Sequence, residues 1–240
     1  MSMVDRPLSV PALAGRWRRA LLRTPEAEDT RTSVIWLQGP ALFADLRQPP
    51  DRPDFSHAAK LADLRHEDCQ WLARQQGFAG TFAQADGVFW WHREIDLQPP
   101  SATPDAGALF WDGETLVETG HFADYLEHWQ RVPTLPAPPC GALRLSREAD
   151  SRAAILVRVG GTFMFARGRD PAIALSGATL AEAVAAAPDL ATAQALLDCE
   201  ISLGDAATWT ITRSTLPYRE GTIFTLAGWA ITMREGECGL

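Results

Sequence analysis

The stretch from Gly87 to Pro100, GVFWWHREIDLQPP, decides the fold because it predicts one long strand that carries both aromatic and charged side chains. Successive side chains of a strand point to opposite faces. One face is expected to hold Phe89, Trp91, Arg93, Ile95 and Leu97, and the other Val88, Trp90, His92, Glu94 and Asp96. The first face is apolar apart from Arg93, which predicts that it lies inward. Arg93 would then be paired inside a barrel or free to bind an anionic ligand.

Strands and tight turns surround this stretch. Alternating or β-branched runs predict strands at 15–23, 30–38, 41–47, 78–84, 89–98, 108–111 and 115–118, and then at 142–146, 152–159, 162–167, 200–203, 208–214, 222–226 and 229–233. Turns are predicted at Gly39-Pro40, Asp112-Gly113 and Gly160-Gly161. Helical spacing of apolar residues predicts helices at 56–76, 180–187 and 190–197, and 122–131 is a short amphipathic segment.

A proline-rich run, VPTLPAPPC at 132–140, predicts a stiff linker between two domains. We expect a disordered N-terminus at 1–14, a first β-barrel domain at 15–131 and a second at 141–240. Both halves have the order strand, hairpin, helix, strands. The interval from Trp91 to Pro99 equals that from Trp209 to Pro217. This agreement suggests duplication of a β unit, with chance similarity of short strands as the alternative.

The fold class expected is therefore mainly β, with two tandem antiparallel barrels that each carry a helical insertion. Barrel closure removes the exposed edges of a sheet. The interior of an eight-stranded barrel is just wide enough for side chains or for one small ligand. A ligand in the first barrel is therefore the first function to consider.

Several segments resemble the calycin-type families, and in particular the fungal and bacterial proteins built from two tandem lipocalin-like barrels of unassigned activity. The segments that carry the resemblance are Trp36-Leu37-Gln38, Ala44-Asp45-Leu46-Arg47, Gly77-Phe78-Ala79-Gly80 and Arg93-Glu94-Ile95-Asp96. They lack the glycine-tryptophan opening motif of secreted lipocalins. The resemblance implies a barrel with room for a cavity, and it implies no particular substrate.

Composition excludes some classes of partner. The net charge of −8 argues against a nucleic acid or an anionic membrane surface, because phosphate binding requires clustered positive charge. No segment is apolar enough to span a membrane, and the N-terminus does not resemble a signal peptide, which favours the cytoplasm. The dispersed cysteines, Cys69, Cys140, Cys199 and Cys238, are expected to be free thiols, and no metal or cofactor is predicted.

Aromatic and charged residues of the first half form the candidate ligand-binding site. They are Trp36, Gln38, Asp45, Arg47, Trp91, Arg93 and Asp96. Aromatic walls with a few convergent polar groups are typical of small-molecule pockets, and an arginine can hold a carboxylate or phosphate by a bidentate fork. The alternative is that Arg93 pairs with Asp45 or Asp96 and closes one end of the barrel as a buried ion pair.

Three functions remain open. The leading hypothesis is a small-molecule-binding protein that holds a partly apolar ligand in the first barrel, with an anionic group on the ligand as one option. The first alternative is a cofactor-free isomerase, cyclase or lyase that uses His92 or Asp96 as a base, although His92 would also suit a solvated face. The second alternative is an interaction module with filled barrels and a protein partner. No G-x-S-x-G elbow or phosphate-binding loop is present.

Overall fold

A computed structural model of the chain describes residues 8–133, 139–175 and 177–239, and its strands form two antiparallel sheets. The strands of the first sheet are β1 (Gly15–Arg23), β2 (Glu28–Asp29), β3 (Ser33–Gln38), β4 (Leu42–Gln48), β5 (Gln76–Ala85), β6 (Val88–Asp96), β7 (Ala106–Asp112), β8 (Thr115–Gly120) and β9 (Leu126–Arg131). Those of the second are β10 (Cys140–Arg147), β11 (Arg152–Val159), β12 (Thr162–Arg167), β13 (Glu200–Asp205), β14 (Thr210–Ser214) and β15 (Ala230–Gly236). The helices are α1 (Val10–Leu13), α2 (His66–Leu72), α3 (Leu180–Ala185) and α4 (Leu190–Leu196). None of these helices is long and apolar enough to span a membrane.

The first sheet closes into an eight-stranded antiparallel barrel. Its strands follow chain order from β3 to β9, and β1 pairs with both β3 and β9. The short β2 extends the sheet beside the end of β1. The mainly β fold and a barrel in the first half are therefore confirmed.

The second sheet is open in the described part of the chain. Its order is β14-β13-β12-β11-β10-β15, and β14 does not pair with β15. After β14 the chain turns back and pairs with it briefly, since the Ile211 amide donates to the Thr222 carbonyl at 3.0 Å. The sequence predicted a strand at 222–226 here, and the structure has one isolated bridge, from Thr210 to Ile223. This segment does not continue to β15, so the sheet does not close.

The packed part of the barrel interior consists mostly of aromatic side chains that alternate along its strands. The buried cluster consists of Leu13, Trp17, Val34, Trp36, Phe43, Phe78, Phe82, Phe89, Trp91, Leu109, Leu116 and Trp129. Trp36 lies at its centre, with its ring centroid 5.7 Å from that of Trp17 and 5.6 Å from that of Phe82. Aromatic pairs at such distances add to the stability that burial of their area gives.

The two halves share a second core between them. The outer faces of β3 and β4 contribute Ile35, Leu37, Leu42, Ala44 and Leu46, and the second sheet contributes Ile155, Val157, Met164, Ala166, Ile201 and Leu203. Strands β3 and β4 are therefore buried on both faces, and all but one residue of each strand is buried. The helices α2, α3 and α4 cover the same core.

A β-bulge reverses the expected alternation at the end of β6. The register between β5 and β6 shifts between Ala79 and Gly80, so that Gly80 pairs with Arg93 while Ala79 pairs with Ile95. Glu94 is the extra residue. As a consequence Ile95 and Leu97 belong to the core between the halves and do not share the inner face with Trp91, which corrects the sequence-based assignment.

Other elements differ from the prediction at their ends. Residues 1–14 were expected to be disordered. Residues 1–7 lie outside the described residues, and residues 8–14 include α1, whose Leu13 is fully buried at one end of the barrel. The helix expected at 56–76 is reduced to α2 and a 3-10 turn at Leu61–Asp63. The Asp68 carboxylate accepts a hydrogen bond from the Arg65 amide at 2.7 Å and so caps the start of α2. Within the expected linker, residues 134–138 lie outside the described residues.

Candidate functional site

A cavity of about 250 Å³ opens at one end of the barrel, where β1 and β4 end. The opposite end is closed by α1, since the Trp17 indole donates a hydrogen bond to the Leu13 carbonyl at 2.8 Å. Three tryptophans, two arginines, four carboxylates and three other residues line the cavity: Trp36, Trp91, Trp129, Arg47, Arg93, Asp45, Asp105, Glu118, Glu127, Leu22, Thr24 and Tyr125. Its size suits a small ligand, because it lies just below the usual range for drug-sized molecules, about 300–1,000 Å³.

The tryptophans give the cavity an apolar floor and walls. Trp36 is 1% exposed, and its ring centroid lies 5.9 Å from that of Trp91 and 5.5 Å from that of Trp129. Both neighbours meet it edge to face. These side chains are fixed by close packing, so the surface they offer to a ligand exists before the ligand binds.

Arg47 is held by carboxylates on two strands. Its Nε donates to Asp45 Oδ1 at 2.9 Å, and its Nη1 lies 3.4 Å from Glu127 Oε1. Glu127 also accepts a hydrogen bond from the buried Arg19 at 2.6 Å, and Arg19 continues the network to Asp29 at 2.8 Å. Burial raises the pKa of the Asp45 carboxyl, and the Arg47 charge opposes that rise. This network closes one side of the cavity with paired charges.

Arg93 is held in the same way on the other side. It donates twice to Asp105 Oδ2, at 2.9 Å from Nε and 2.7 Å from Nη2, and once to Asp96 Oδ2 at 3.2 Å. Its guanidinium carbon also lies 3.5 Å from the centre of the Phe78 ring. Such stacking on an aromatic face is a favourable contact for a guanidinium. The inward arginine predicted from the sequence therefore has partners for all three of its nitrogens.

Glu118 is the carboxylate of the cavity that has no arginine partner among the described residues. It is 4% exposed, and it accepts hydrogen bonds from the Tyr125 hydroxyl at 2.7 Å and from the Trp129 indole at 2.9 Å. Burial raises its pKa well above the usual range, and the neighbouring charges of Glu127 and Asp105 raise it further. Glu118 therefore keeps a proton at a pH where an exposed glutamate has lost it.

Five of the seven candidate residues line the cavity, namely Trp36, Asp45, Arg47, Trp91 and Arg93. Gln38 does not. It is fully buried toward the closed end, where it accepts from the Trp36 indole at 3.2 Å and donates to the Gly39 carbonyl at 3.0 Å. Asp96 does not line the cavity either, and its role is to pair with Arg93.

His92, the alternative catalytic base, lies on the outside of the barrel. It is exposed, and its ring is stacked on Trp90 with the centroids 6.3 Å apart. The adjacent Glu94 pairs with Arg144 of β10 and so connects the two halves. Neither His92 nor Asp96 faces the cavity, so the geometry does not place the expected base beside a bound molecule.

Seven residues that line the cavity were not predicted from the sequence as site residues: Leu22, Thr24, Asp105, Glu118, Tyr125, Glu127 and Trp129. The segment 122–131 looked like a short amphipathic piece, whereas β9 occupies most of it and closes the barrel against β1. The signal that could have found Glu127 and Trp129 is alternation, since Glu127, Trp129 and Arg131 are two apart. This alternation does not appear as a hydrophobic pattern, because Trp129 is the one apolar residue of these three.

Comparison with known proteins supports the fold over both halves. The chain is similar to the crystal structure of the uncharacterised protein YLR301w from Saccharomyces cerevisiae, with a TM-score of 0.54 and 11% sequence identity. The similarity covers 92% of this chain and 98% of that chain. At this identity it shows the fold alone. No protein-family model and no curated protein matches the chain.

Proposed function

We propose that this protein binds a small organic cation, a protonated amine with a flat apolar group, in the cavity of the first barrel. The observation that carries the proposal is the balance of charge in an aromatic-walled cavity. Three ionised carboxylates and the protonated Glu118 face two arginines there, so the lining keeps an excess of negative charge. An aromatic wall with unpaired acceptors is the chemistry that recognises an ammonium group.

Unused hydrogen-bond acceptors in the cavity also favour a ligand that donates hydrogen bonds. Both hydrogen bonds that Asp105 accepts go to Oδ2, and both that Glu127 accepts go to Oε1. Their other oxygens accept no hydrogen bond from a described residue. The expected anionic ligand depended on an arginine with free donors, and Arg47 and Arg93 are both engaged. The cavity itself counts against a filled barrel that works only through its surface.

The protonation of Glu118 should change when a cation binds, and this change can be measured. A cation that binds beside a protonated carboxyl lowers its pKa, because an opposite charge favours the ionised form. Binding of an amine that stays protonated at neutral pH should therefore release a proton from Glu118. A neutral molecule of the same shape should release none.

The test is isothermal titration calorimetry with benzylamine and, as the neutral counterpart, benzyl alcohol. We expect benzylamine to bind more tightly and to release up to one proton, measured as a dependence of the binding enthalpy on the buffer. Glu118→Gln should abolish proton release and weaken benzylamine binding about tenfold, the usual cost of losing a hydrogen bond to a charged group. Glu94→Gln, which removes the same charge outside the barrel, should leave both unchanged. Equal binding of benzylamine by the native protein and Glu118→Gln would contradict the proposal.

We also propose that the two halves are copies of one calycin-like unit and that the second has lost its closure. Three observations support this. The strand order is the same, and the bulges lie before corresponding glycines, Gly80 and Gly204. Arg47 and Arg167 each lie four residues after a phenylalanine that is the second residue of the second strand of a hairpin. A cytoplasmic location is likewise a proposal, supported by four free cysteines.

A further inference from the structure

A second cavity, of about 400 Å³, opens in the second half at the end that corresponds to the first cavity. The correspondence follows from Arg167, which lines the second cavity as its counterpart Arg47 lines the first. The second cavity is lined by Arg147, Arg152, Arg167, Arg219, Asp198, Glu200, Tyr218, Thr225, Phe165, Phe224 and Trp229. It is separate from the first and is built by a different set of strands.

The balance of charge is the reverse of that in the first cavity. Four arginines face two carboxylates, and a third carboxylate, Asp150, pairs with Arg147 and Arg152 from outside the lining. Asp198 is shared, since it forms ion pairs with Arg152 at 2.8 Å and with Arg167 at 2.7 Å. Ion pairs thus hold the arginines in place. Four arginines meet three carboxylates, so a net positive charge remains.

Hydrogen-bond donors without a partner among the described residues are a second feature of this cavity that suits an anion. Arg219 uses its Nε for Glu200 at 3.0 Å, and its two terminal nitrogens donate to no described residue. The Tyr218 hydroxyl makes no hydrogen bond to a described residue either. Burial raises the pKa of Tyr218 to about 12, so this hydroxyl remains a donor at neutral pH. Adjacent residues of one 3-10 turn, Pro217–Arg219, therefore present three unused donors to the cavity.

An apolar wall stands beside these donors. The ring centroid of Phe165 lies 4.9 Å from that of Phe224 and 5.6 Å from that of Trp229. The Arg147 guanidinium lies 4.9 Å from the centre of the Trp229 ring and leaves part of that ring to the cavity. A molecule that joins an oxyanion to an apolar group would satisfy both sides of the cavity.

We propose that this second cavity binds a small anion in which a carboxylate or phosphate is attached to an apolar group. Arg219 and Tyr218 donate to the oxyanion, since a guanidinium and a hydroxyl suit both acids. The apolar group lies against Phe224 and Trp229. The site is independent of the amine site in the first barrel and involves none of its residues.

Calorimetric titration of the full-length protein with phenyl phosphate, benzoate and inorganic phosphate tests this proposal. We expect at least one of the two aromatic anions to bind, more tightly than inorganic phosphate, and to bind more weakly as salt is added. The stronger of phenyl phosphate and benzoate identifies the acid. Arg219→Gln should weaken binding about tenfold or more, and Tyr218→Phe should weaken it less. Circular dichroism checks that both variants remain folded.

Two controls separate this site from general charge effects and from the first cavity. Arg31→Gln removes the same charge from an exposed ion pair with Asp51 and should leave anion binding unchanged. Glu118→Gln, which tests the amine site, should also leave it unchanged. If none of the three anions binds, or if Arg219→Gln and Tyr218→Phe bind them as the native protein does, the second cavity is not an anion site.

Discussion

At the scale of single residues, the first cavity depends on which carboxylates are paired. Asp45, Asp105 and Glu127 each have an arginine partner, and Glu118 has hydrogen bonds from Tyr125 and Trp129 instead. A buried carboxyl without a positive partner takes up a proton, because burial penalises its charged form. Glu118 is therefore the group in this cavity that a change of pH, or a bound cation, alters first.

Protonation of Glu118 predicts how stability depends on pH. The pKa of Glu118 is raised in the folded protein. At a pH between its pKa in the unfolded chain, about 4.3, and its pKa in the folded protein, the folded state holds one more proton than the unfolded state. Stability falls as pH rises through this window, at a limiting slope of about 1.4 kcal/mol per pH unit. Glu118→Gln mimics the protonated form. Urea unfolding at pH 5 and pH 8 should show the native protein losing stability relative to this variant.

A matched variant isolates that effect. Glu94→Gln removes a carboxylate whose pKa is lowered, against the effect of its burial, by hydrogen bonds from Arg144 and Thr81. Because this pKa is lowered, the contribution of Glu94 to stability changes with pH in the opposite direction. The contribution is present above the pKa of the unfolded chain and is lost as pH falls. At pH 5 and pH 8 both states of the native protein have Glu94 largely ionised, so the difference from Glu94→Gln should change little. A constant difference for Glu118→Gln as well would mean that Glu118 is ionised in the folded protein.

At the scale of elements, one bulge decides which residues of β6 face the cavity. Gly80 permits it, since a Cβ at this position would lie 1.8 Å from the His92 carbonyl oxygen. Gly80→Ala should therefore destabilise the protein by about 3 kcal/mol or more, at the upper end of the usual cost of overpacking. Thermal or urea unfolding measures this cost. Gly161→Ala, where an added Cβ meets nothing within 4 Å, should cost far less. A similar cost at both positions would show that space at the bulge is not what requires glycine.

The bulge also explains how far the sequence predicts the site. Alternation correctly placed Trp91 and Arg93 on one inner face, because both precede the bulge. It placed Ile95 on the wrong side, because the shift depends on Gly80 in the neighbouring strand and leaves no mark within β6 itself. The hairpins at Gly39-Pro40 and Gly160-Gly161 were predictable from their turn residues, which act locally.

Closure was harder to predict than pairing. Strand β9 carries Glu127 on its inner face, and an inward charge removes the apolar alternation by which a strand is usually found. In the second half the order of strands was predicted. Whether the segment after β14 reaches β15 depends on parts of the chain that are far apart in sequence, so local patterns did not show that the sheet stays open. Local patterns specify hairpins, whereas the closure of a sheet depends on its first and last strands together.

At the scale of the whole molecule, the two halves are expected to unfold together. They share a buried apolar core that includes Leu46 from the barrel and Ile201 from the second sheet. Ile201 lies so close to the barrel that a Cβ on Gly77 would be 2.8 Å from its Cγ1. Interfaces between independent domains are usually more polar than this. Separation of the halves would expose β3 and β4, which are buried on both faces.

This shared core makes a specific prediction for Ile201→Ala. The substitution leaves a cavity in the second sheet and should destabilise the protein by about 2–5 kcal/mol. Seven of the nine tryptophans precede residue 130, so tryptophan fluorescence reports chiefly on the barrel, whereas far-UV circular dichroism reports on both sheets. Both probes should follow one urea transition in the native protein, and Ile201→Ala should shift both equally. Ile231→Ala, at a position 45% exposed on β15, should change stability by less than about 0.5 kcal/mol. If Ile201→Ala shifted the circular dichroism transition and left the fluorescence transition in place, the barrel would be stable without its partner sheet.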